Sequence, residues 1–518
     1  MALPDLYPAQ VGSPYTTLSA SYTTEAATMS LTDATKLPNA PNIVCLSGTV
    51  SGEFRYTGKS GNDLTGVSKL EGTPTATWAA GTYAFRGIAA YDMTSLQTRA
   101  AALQEQVDLL NEANSPIIGV SWDTTSSSPT LTRIDAEGNT LGAMSTADFD
   151  KHICFGGRWR CVRNRTTGAI TYGTNARGDG LTLDGTAGDV LVRKPIVYVK
   201  TDYGVAGTGI ARYWISPRPA AGFVVHPAWM QRNNGIASPV IYSGAYESYG
   251  YLQGSTFMIG SASGKIPITG GVAYPDLPNT GRFHMGDAEL YANNITGTKR
   301  TGCENVFNYA VNQMLMYIEY AVTDLQTALG KGIVDLASGT GFAGKNTGAD
   351  SIDSRLAANG TGTGSGTNGQ TPICWRGEEN PYGNTYKFVI GANFFLDGSV
   401  RVLKRDGTGT IAATLATGSY DTVTGPVALT NGYASAVLHD AVSDILFLGS
   451  SVAGGGSGYF LCDYWTAPTA DGNILLAGGY WRGGLSAGPG CRGAYGAPSG
   501  SGRAVSARLE FYPEGGDV

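Results

Sequence analysis

The chain has 518 residues, of which 42% are hydrophobic and 15% are charged, so it can build a sizeable core and is not disordered throughout. Its 35 lysine and arginine residues stand against 41 acidic ones, and the net charge of −6 is spread without a basic cluster, which excludes an ordinary nucleic-acid-binding surface. The 74 glycines, 28 tyrosines and threonine-rich runs are typical of a rigid, β-rich protein.

The start of the chain, MALPDLYPAQVGSP, has neither the basic segment nor the apolar segment of a secretion signal. No run of about 18 apolar residues occurs, so we expect no membrane insertion. A chain with the composition of an extracellular protein but no signal is expected of a virion protein, which is made in the host cytoplasm and released by lysis. We therefore expect this protein on the surface of a virus particle.

The first 114 residues divide into three predicted parts. Residues 1–42 are rich in proline, threonine and alanine and predict an extended arm that takes contacts from a neighbouring molecule. Residues 43–92 alternate short apolar runs with turn residues and predict a β module. Residues 93–114 then show helical spacing, which Pro116 ends. The apolar positions of this helix are Leu96, Ala100, Leu103, Val107 and Leu110.

This 4-3 spacing leaves two interpretations open. The helix packs on its own domain, or it forms a short coiled-coil stalk between domains, in which case we expect a trimer. Two heptads are too short to be stable alone.

The rest of the chain predicts strands around one long helix. Residues 115–300 contain β-type runs such as DVLVRKPIVYVK, and residues 303–330 carry the strongest helical signal, with Gly330 as a suitable C-terminal cap. The segment NGTGTGSGTNGQ at 359–370 predicts a flexible Gly/Thr loop. Strands return from residue 385 onward. The expected apolar face of the helix consists of Phe307, Val311, Met314, Leu315, Ile318 and Ala321. The fold class is therefore a β-rich, multi-domain α+β protein.

The motifs that suggest enzymes are weak. Gly484–Gly488 matches G-x-S-x-G, but no helix pattern follows it, as a nucleophile elbow requires. Gly339–Lys345 approaches a P-loop, but Asn346 stands where Ser or Thr would bind Mg²⁺. The histidines show no metal-ligand spacing. We predict no catalytic residue, no cofactor and no metal.

The seven cysteines include no Cys-x-x-Cys pair, which argues against a zinc ribbon or a thioredoxin-type motif. We expect mostly buried thiols. Two disulfides stay open as alternatives, Cys154–Cys161 and Cys462–Cys491.

Several blocks resemble tailed-phage proteins. GKSGNDLTGVSKLE at 58–71 resembles the N-terminal module of tail and virion-attachment proteins. GVSWDTTSSSPTLTR at 119–133 resembles a phage structural family that ends in a C-type-lectin-like domain. NVFNYAVNQMLMYIEYA, CWRGEENPYGNTYKFVIGAN and AGGYWRGGLSAGPGCRGAYGAPSGSGRAVSARLEF resemble that domain itself. The fold is shared by phage tropism determinants, diversity-generating-retroelement variable proteins and formylglycine-generating enzymes.

The resemblance implies a C-type-lectin-like domain at 301–518, preceded by a β-rich intermediate region at 115–300. In this family the pattern R-G-x-E-N-x-x-G-N is a structural signature, so the matching residues are expected in the scaffold. A buried set of this kind must be hydrogen-bonded internally. The residues are Trp375, Arg376, Gly377, Glu379, Asn380, Gly383 and Asn384.

In receptor-binding members of the family, the stretch that matches 479–508 forms the exposed ligand face. Tyrosine, tryptophan and arginine carry much of the binding energy at interfaces. Whether Trp481 is a contact or a core residue stays open. The implied receptor contacts are Tyr480, Trp481, Arg482, Leu485, Ser486, Arg492, Tyr495, Ser499, Ser501 and Arg503.

The resemblance therefore implies a tail-tip or fibre protein that attaches the particle to a host-surface glycan or protein. Its expected partners are other virion proteins, copies of itself in a trimer, and the host receptor. A capsid decoration or head-fibre protein of the same architecture is the alternative, and an enzyme on this fold is the least favoured. Cys462 and Cys491 stand 29 positions apart, unlike the closely spaced pair of formylglycine-generating enzymes. No calcium-binding set of the sugar-binding lectins is present.

Overall fold

The computed structural model describes residues 15–47, 49–70, 72–86, 115–203, 209–230, 235–270, 283–294, 301–336, 368–453 and 461–513. Of these residues, 37% lie in strands and 11% in helices, which confirms the β-rich composition expected from the sequence. The chain divides into two compact units, Met1–Leu109 and Leu110–Val518. The predicted helical spacer at 93–114, the P-loop-like segment and residues 359–367 of the Gly/Thr loop lie outside the described residues.

The N-terminal unit is built from short antiparallel strands. A five-stranded sheet has the order β1-β10-β4-β5-β8, and the other strands form the pair β2-β9 and the group β3-β7-β6. Edge-to-face contacts of Phe54 with Tyr22 (5.1 Å) and Trp78 (5.3 Å) lie at the centre of its core. The strands are β1 (Tyr15–Thr17), β2 (Tyr22–Thr23), β3 (Thr28–Ser30), β4 (Asn42–Ser47), β5 (Gly52–Tyr56), β6 (Gly58–Ser60), β7 (Asp63–Thr65), β8 (Ser68–Lys69), β9 (Thr77–Trp78) and β10 (Tyr83–Phe85).

Residues 15–42 belong to this unit and do not form an extended arm. Strand β1 pairs with β10, β2 with β9 and β3 with β7. Leu18, Met29 and Leu31 are buried in the core of the unit. The prediction of an arm was wrong for these residues because strands of two or three residues carry too little alternation to stand out in a sequence.

The larger unit contains three sheets with five, six and nine strands, besides two hairpins. Its first strands are β11 (Ile118–Asp123), β12 (Thr132–Ile134), β13 (Trp159–Arg163), β14 (Ile170–Tyr172), β15 (Asp189–Pro195), β16 (Tyr198–Asp202), β17 (Ile210–Ser216), β18 (Val224–Val225), β19 (Val240–Gly244), β20 (Tyr249–Gln253), β21 (Thr256–Gly260) and β22 (Thr301–Cys303). The remaining strands are β23 (Cys374–Trp375), β24 (Glu378–Glu379), β25 (Tyr386–Phe394), β26 (Val400–Leu403), β27 (Tyr420–Val423), β28 (Gly432–Val437), β29 (Gly449–Ala453), β30 (Tyr464–Thr466), β31 (Asn473–Ala477), β32 (Arg492–Gly496), β33 (Val505–Ser506) and β34 (Leu509–Phe511).

The helices of this unit are short except for one. They are α1 (Thr146–Lys151), α2 (Ile153–Gly156), α3 (Ala288–Asn293), α4 (Val306–Tyr320) and α5 (Leu325–Ala328). Single 3-10 turns occur at Ala34–Lys36 in the N-terminal unit and at Pro227–Trp229, Met285–Asp287 and Gly484–Ser486 in this one. No helix among the described residues is long and apolar enough to cross a membrane.

The strand orders show that the expected division at residues 300 and 301 does not exist. The five-stranded sheet has the order β12-β11-β17-β16-β18, and the six-stranded sheet has the order β14-β13-β15-β19-β34-β22. In the latter, the C-terminal strand β34 lies between β19 and β22 and pairs with both. The nine-stranded sheet has the order β27-β26-β25-β31-β32-β30-β28-β29, with β33 parallel to β25. Residues from both predicted regions therefore share one unit.

Helix α4 is the central helix of the larger unit. The Asn305 side chain caps its start by accepting hydrogen bonds from two backbone N–H groups. The helix ends at Tyr320 because Ala321 adopts a left-handed conformation (φ 53°) and donates its N–H to the Tyr317 carbonyl. The expected end at Gly330 was therefore wrong. Residues from 306 to 319 are all buried, the polar ones included, so the helix has no solvated face.

The seven cysteines are all buried thiols, as the spacing led us to expect. Neither candidate disulfide is formed, so the unit is held together by packing and by polar contacts in its interior.

Candidate functional site

The segment from Gly478 to Arg503 begins directly after strand β31 and contains strand β32, and both strands are central in the nine-stranded sheet. Strand β31 runs into it, a 3-10 turn at Gly484–Ser486 follows, and strand β32 returns into the sheet. Gly479 has a φ of 74°, and a Cβ there would approach the Ala487 Cβ to 2.5 Å. Its glycines therefore serve tight turns rather than a loose linker. Strand β32, and not a helix, follows Ser486, so no nucleophile elbow is formed.

The ten predicted receptor contacts differ in exposure. The exposed ones are Arg482, Leu485, Ser499, Ser501 and Arg503. The half-buried ones are Tyr480, Ser486 and Tyr495. The buried ones are Trp481 and Arg492.

Arg492 is an interior residue, and its prediction as a surface contact was wrong. Its guanidinium donates hydrogen bonds to the Gln313 side chain on α4 and to the Pro489 carbonyl. It also lies over the Tyr309 ring, 4.6 Å from the ring centre. The side chain lies on the face of the sheet where it meets Gln313 of α4, so it is covered by the helix.

Trp481, which the sequence left open, is a core residue. Its side chain is 4% exposed and packs against Ile333 and Leu336. Its backbone is held on both sides, since its N–H donates to the Asn384 carbonyl (3.0 Å) and its carbonyl accepts from Leu336 (2.8 Å).

Three half-buried tyrosines meet at this surface, and we call Tyr386, Tyr480 and Tyr495 the tyrosine cluster. The rings of Tyr386 and Tyr480 are stacked, with centroids 5.3 Å apart and an interplanar angle of 21°. The phenol groups of Tyr386 and Tyr495 are close enough for each to influence the pKa of the other. Trp481 supports Tyr480 edge-on at 5.6 Å. Burial raises the pKa of Tyr386 and of Tyr495, so both phenols are neutral.

Sequence reasoning missed Tyr386. The only hint in the sequence is its position two residues after the end of the signature block. It is the first residue of strand β25, and its side chain is half-buried. Its contact with Tyr480 bridges 94 positions of sequence, and no local pattern reports such a pairing.

A second pair of tyrosines flanks the 3-10 turn. Tyr433 and Tyr464 pack edge to face at 5.4 Å on neighbouring strands, β28 and β30. The Tyr433 hydroxyl lies 3.5 Å from the Ser486 hydroxyl. Leu485, on the same turn, is 56% exposed. The 3-10 turn therefore carries the exposed apolar side chain of Leu485 and contacts the tyrosine pair through Ser486.

The signature block lies beneath this surface and is buried throughout. Strands β23 and β24 form a hairpin whose turn residues, Arg376 and Gly377, have φ values of 49° and 92°. Asn380, Gly383 and Asn384 also have left-handed backbones, with φ of 47°, 75° and 58°. Glycine and asparagine adopt this conformation more readily than other residues, which explains their positions in the pattern.

Glu247 is the buried carboxylate that organises the end of the block. It accepts hydrogen bonds from the side chains of Asn380 and Asn384 and from the Thr385 hydroxyl. The Lys387 ammonium lies 3.1 Å from it. The Glu247 carboxylate and the Lys387 ammonium therefore both have partners in the interior, away from water.

The block positions the segment from Gly478 to Arg503 through backbone bonds. Gly383 donates its N–H to the Gly478 carbonyl (2.9 Å), and Tyr386 donates to the Ala504 carbonyl (2.8 Å). Together with the bond from Trp481 to Asn384, these contacts hold both ends of the segment. The surface side chains therefore extend from a rigid backbone.

Two of the four histidines have a structural role. The Nδ1 atoms of His152 and His226 accept backbone N–H groups at the starts of α2 and of the turn Pro227–Trp229. Burial lowers the pKa of His152 to about 4 and that of His226 well below its ordinary value, so both rings are neutral. Within the described part of the chain, no three His, Cys, Asp or Glu side chains are grouped so that they could hold a metal ion.

Comparison of the chain with protein-family models gives no match, and comparison with curated proteins gives none either.

Proposed function

We propose that this chain is a surface protein of a tailed-phage particle that attaches the particle to a glycan or protein on the host cell. The binding face consists of the tyrosine cluster together with Arg482, Leu485 and Arg503. The supporting domain is a C-type-lectin-like domain, to which residues 301–518 contribute the central helix, the signature block and the segment from Gly478 to Arg503. The protein acts by binding and uses no cofactor or metal.

The observation that carries this proposal is the stacked pair Tyr386–Tyr480, half-exposed on a backbone that the buried signature block holds in place. Tyrosine and arginine at interfaces supply large contact area and hydrogen bonding with few rotatable bonds. A rigid face loses little conformational entropy on binding. Leu485, on the same segment of the chain as Tyr480, adds an exposed apolar side chain.

We further propose that the N-terminal unit docks on other virion proteins and that the chain assembles as a trimer. Several copies on one particle convert weak single contacts into tight attachment.

A capsid decoration or head-fibre protein is the second candidate. The observation that favours it is the burial of Trp481 and Arg492, because both side chains serve the interior instead of the surface. In that case the lectin-like domain is mainly structural.

Particles that lack the protein separate the two candidates. Adsorption of such particles to the host on which they grow is measured from the free particles that remain after a short incubation. If the protein binds the receptor, particles that lack it no longer adsorb, and full-length protein added free in solution does not restore adsorption. Normal adsorption contradicts receptor binding and leaves decoration as the function.

A further inference from the structure

A lysine, two asparagines and a glutamate meet in the interior of the larger unit. Lys194 lies on β15 and is fully buried. Its Nζ is 2.8 Å from Asn308 Oδ1 and 3.2 Å from Asn312 Oδ1, both on α4, and 2.7 Å from Glu378 Oε1. The amine therefore lies beside the carboxamide group of Asn312, whose carbon it must approach to within about 3–3.5 Å to react.

Glu378 contacts both nitrogens that such a reaction involves. Its Oε1 accepts from the Lys194 amine, and its Oε2 accepts from Asn312 Nδ2 at 2.9 Å. One carboxylate therefore spans the attacking amine and the leaving group of Asn312, at distances suited to proton transfer.

The Asn312 oxygen faces a positive charge. Arg158 Nη1 donates to Asn312 Oδ1 at 3.3 Å, and Arg158 Nη2 is fixed by Glu378 Oε1 at 2.7 Å. A guanidinium in this place stabilises negative charge that develops on the carboxamide oxygen. Asn308 differs, because its Nδ2 donates to Ser243 and Glu510 and not to Glu378.

The setting also favours the neutral amine. Burial lowers the pKa of Lys194 below its ordinary value, against the opposing effect of Glu378. A desolvated lysine of this kind is a nucleophile near neutral pH.

We propose that Lys194 and Asn312 form a covalent amide crosslink between β15 and α4. The neutral Nζ attacks Cγ of Asn312, and the oxygen of the tetrahedral intermediate is held by Arg158. Glu378 takes a proton from Nζ and delivers it to Nδ2. The Cγ–Nδ2 bond then breaks, ammonia leaves, and the new Nζ–Cγ bond remains. No oxidant, reductant or other reactant is needed.

The crosslink joins residues 118 positions apart. Like a disulfide across a long loop, it restricts the unfolded chain and stabilises the native unit. Unlike a disulfide, the amide crosslink survives reducing conditions. It is therefore available to a protein whose cysteines are all buried thiols.

Mass spectrometry of a tryptic digest of the full-length protein tests the proposal. Trypsin does not cut before Pro195, so the crosslink joins the peptides 194–200 and 301–331. We expect one species lighter by about 17 Da than the sum of the two peptides, the mass of ammonia, and little linear peptide 194–200. Full recovery of both peptides as linear species overturns the proposal.

Fragmentation of the joined species identifies the asparagine. Fragments that place the lysine peptide on Asn312 support the assignment, and fragments that place it on Asn308 overturn it.

Two variants test the role of Glu378. Glu378→Gln keeps the shape but cannot relay the proton, so we expect at least a tenfold lower crosslinked fraction in freshly purified protein. Glu25→Gln, at an exposed glutamate of the N-terminal unit, is the matched control and retains the crosslink. An unchanged crosslinked fraction in Glu378→Gln overturns the role of Glu378. The digest of the wild-type protein does not depend on the variants, so the main test remains valid if a variant fails to fold.

Discussion

Arg376 and Glu319 form a two-point ion pair in the interior of the larger unit. Arg376 Nη2 lies 2.7 Å from Glu319 Oε1, and Nε lies 3.3 Å from Oε2. Both side chains are almost inaccessible to water. The Trp375 indole N–H also donates to Glu319 Oε2 at 2.7 Å. The pair thus ties the signature hairpin to the last turn of α4.

Removal of Glu319 leaves the buried Arg376 with Asp150 as its remaining carboxylate partner. We expect Glu319→Ala to lower the free energy of unfolding by about 3 kcal/mol, because Arg376 loses one ion-pair partner and Trp375 loses its acceptor. Urea denaturation measures the change. The control is Lys331→Ala, whose ion pair with Asp335 is exposed, and for which we expect less than about 1 kcal/mol. Equal effects of the two changes would contradict a buried pair.

The left-handed backbone of Asn384 predicts a difference between two substitutions. Asn384→Ala and Asn384→Gly both lose the hydrogen bond to Glu247, but only alanine has a Cβ that disfavours a φ of 58°. We expect the alanine variant to be less stable than the glycine variant by about 1 kcal/mol or more in thermal or urea unfolding. Alanine equal to or better than glycine would show that the backbone is not left-handed.

The two buried histidines make the protein sensitive to acid. Unfolded histidine takes up a proton below about pH 6.5, whereas burial lowers the pKa of folded His152 to about 4 and that of His226 well below its ordinary value. The unfolded state therefore binds more protons between about pH 6.5 and 4, and stability is lost as the pH falls. Each histidine contributes a slope of up to about 1.4 kcal/mol per pH unit.

His226→Asn tests this pH dependence, because asparagine keeps a capping acceptor but does not titrate. Urea unfolding of both proteins at several pH values from 7 to 4 measures the slopes. We expect the variant to be flatter by about one proton. Parallel curves would mean that His226 titrates normally.

The thiols predict a simple labelling result. Burial raises the pKa of the Cys462 and Cys491 thiols to about 12 and raises the pKa of Cys161 further. These thiols are therefore protonated, and they are also buried away from reagents in water. We expect a thiol reagent to label almost none of the seven cysteines in the native protein within minutes and all of them in denaturant without a reductant. Five labelled cysteines in denaturant would instead reveal one disulfide.

The long helix shows what the sequence could and could not predict. Its apolar spacing predicted α4 at the right place, but the helix ends at Tyr320, ten positions before the expected cap at Gly330. The stop is a left-handed Ala321, a residue that does not favour this conformation. Its cause lies in tertiary contacts, since Leu131 donates its N–H to the Ala321 carbonyl. No local pattern contains that information.

The segment from Gly478 to Arg503 is similar in this respect. The family resemblance implied that its aromatic and arginine side chains are surface contacts, but the sequence does not say which way each side chain faces. Arg482 is exposed and Arg492 is buried, although both follow glycine-rich stretches. The difference arises because Arg492 belongs to an inner strand and meets Gln313 of α4. The resemblance placed the signature block in the scaffold, and all of its residues are buried.

The most direct test of the account is host-cell binding by the purified full-length protein, compared with the double variant Tyr480→Ala/Arg482→Ala. The control is Tyr83→Ala, which removes an exposed tyrosine of the N-terminal unit, and thermal unfolding checks that all three proteins are folded. We predict that the double variant binds at least about tenfold more weakly while the control binds as the wild type does. Equal binding by all three proteins, or no binding by the wild type, would contradict the proposed receptor-binding face.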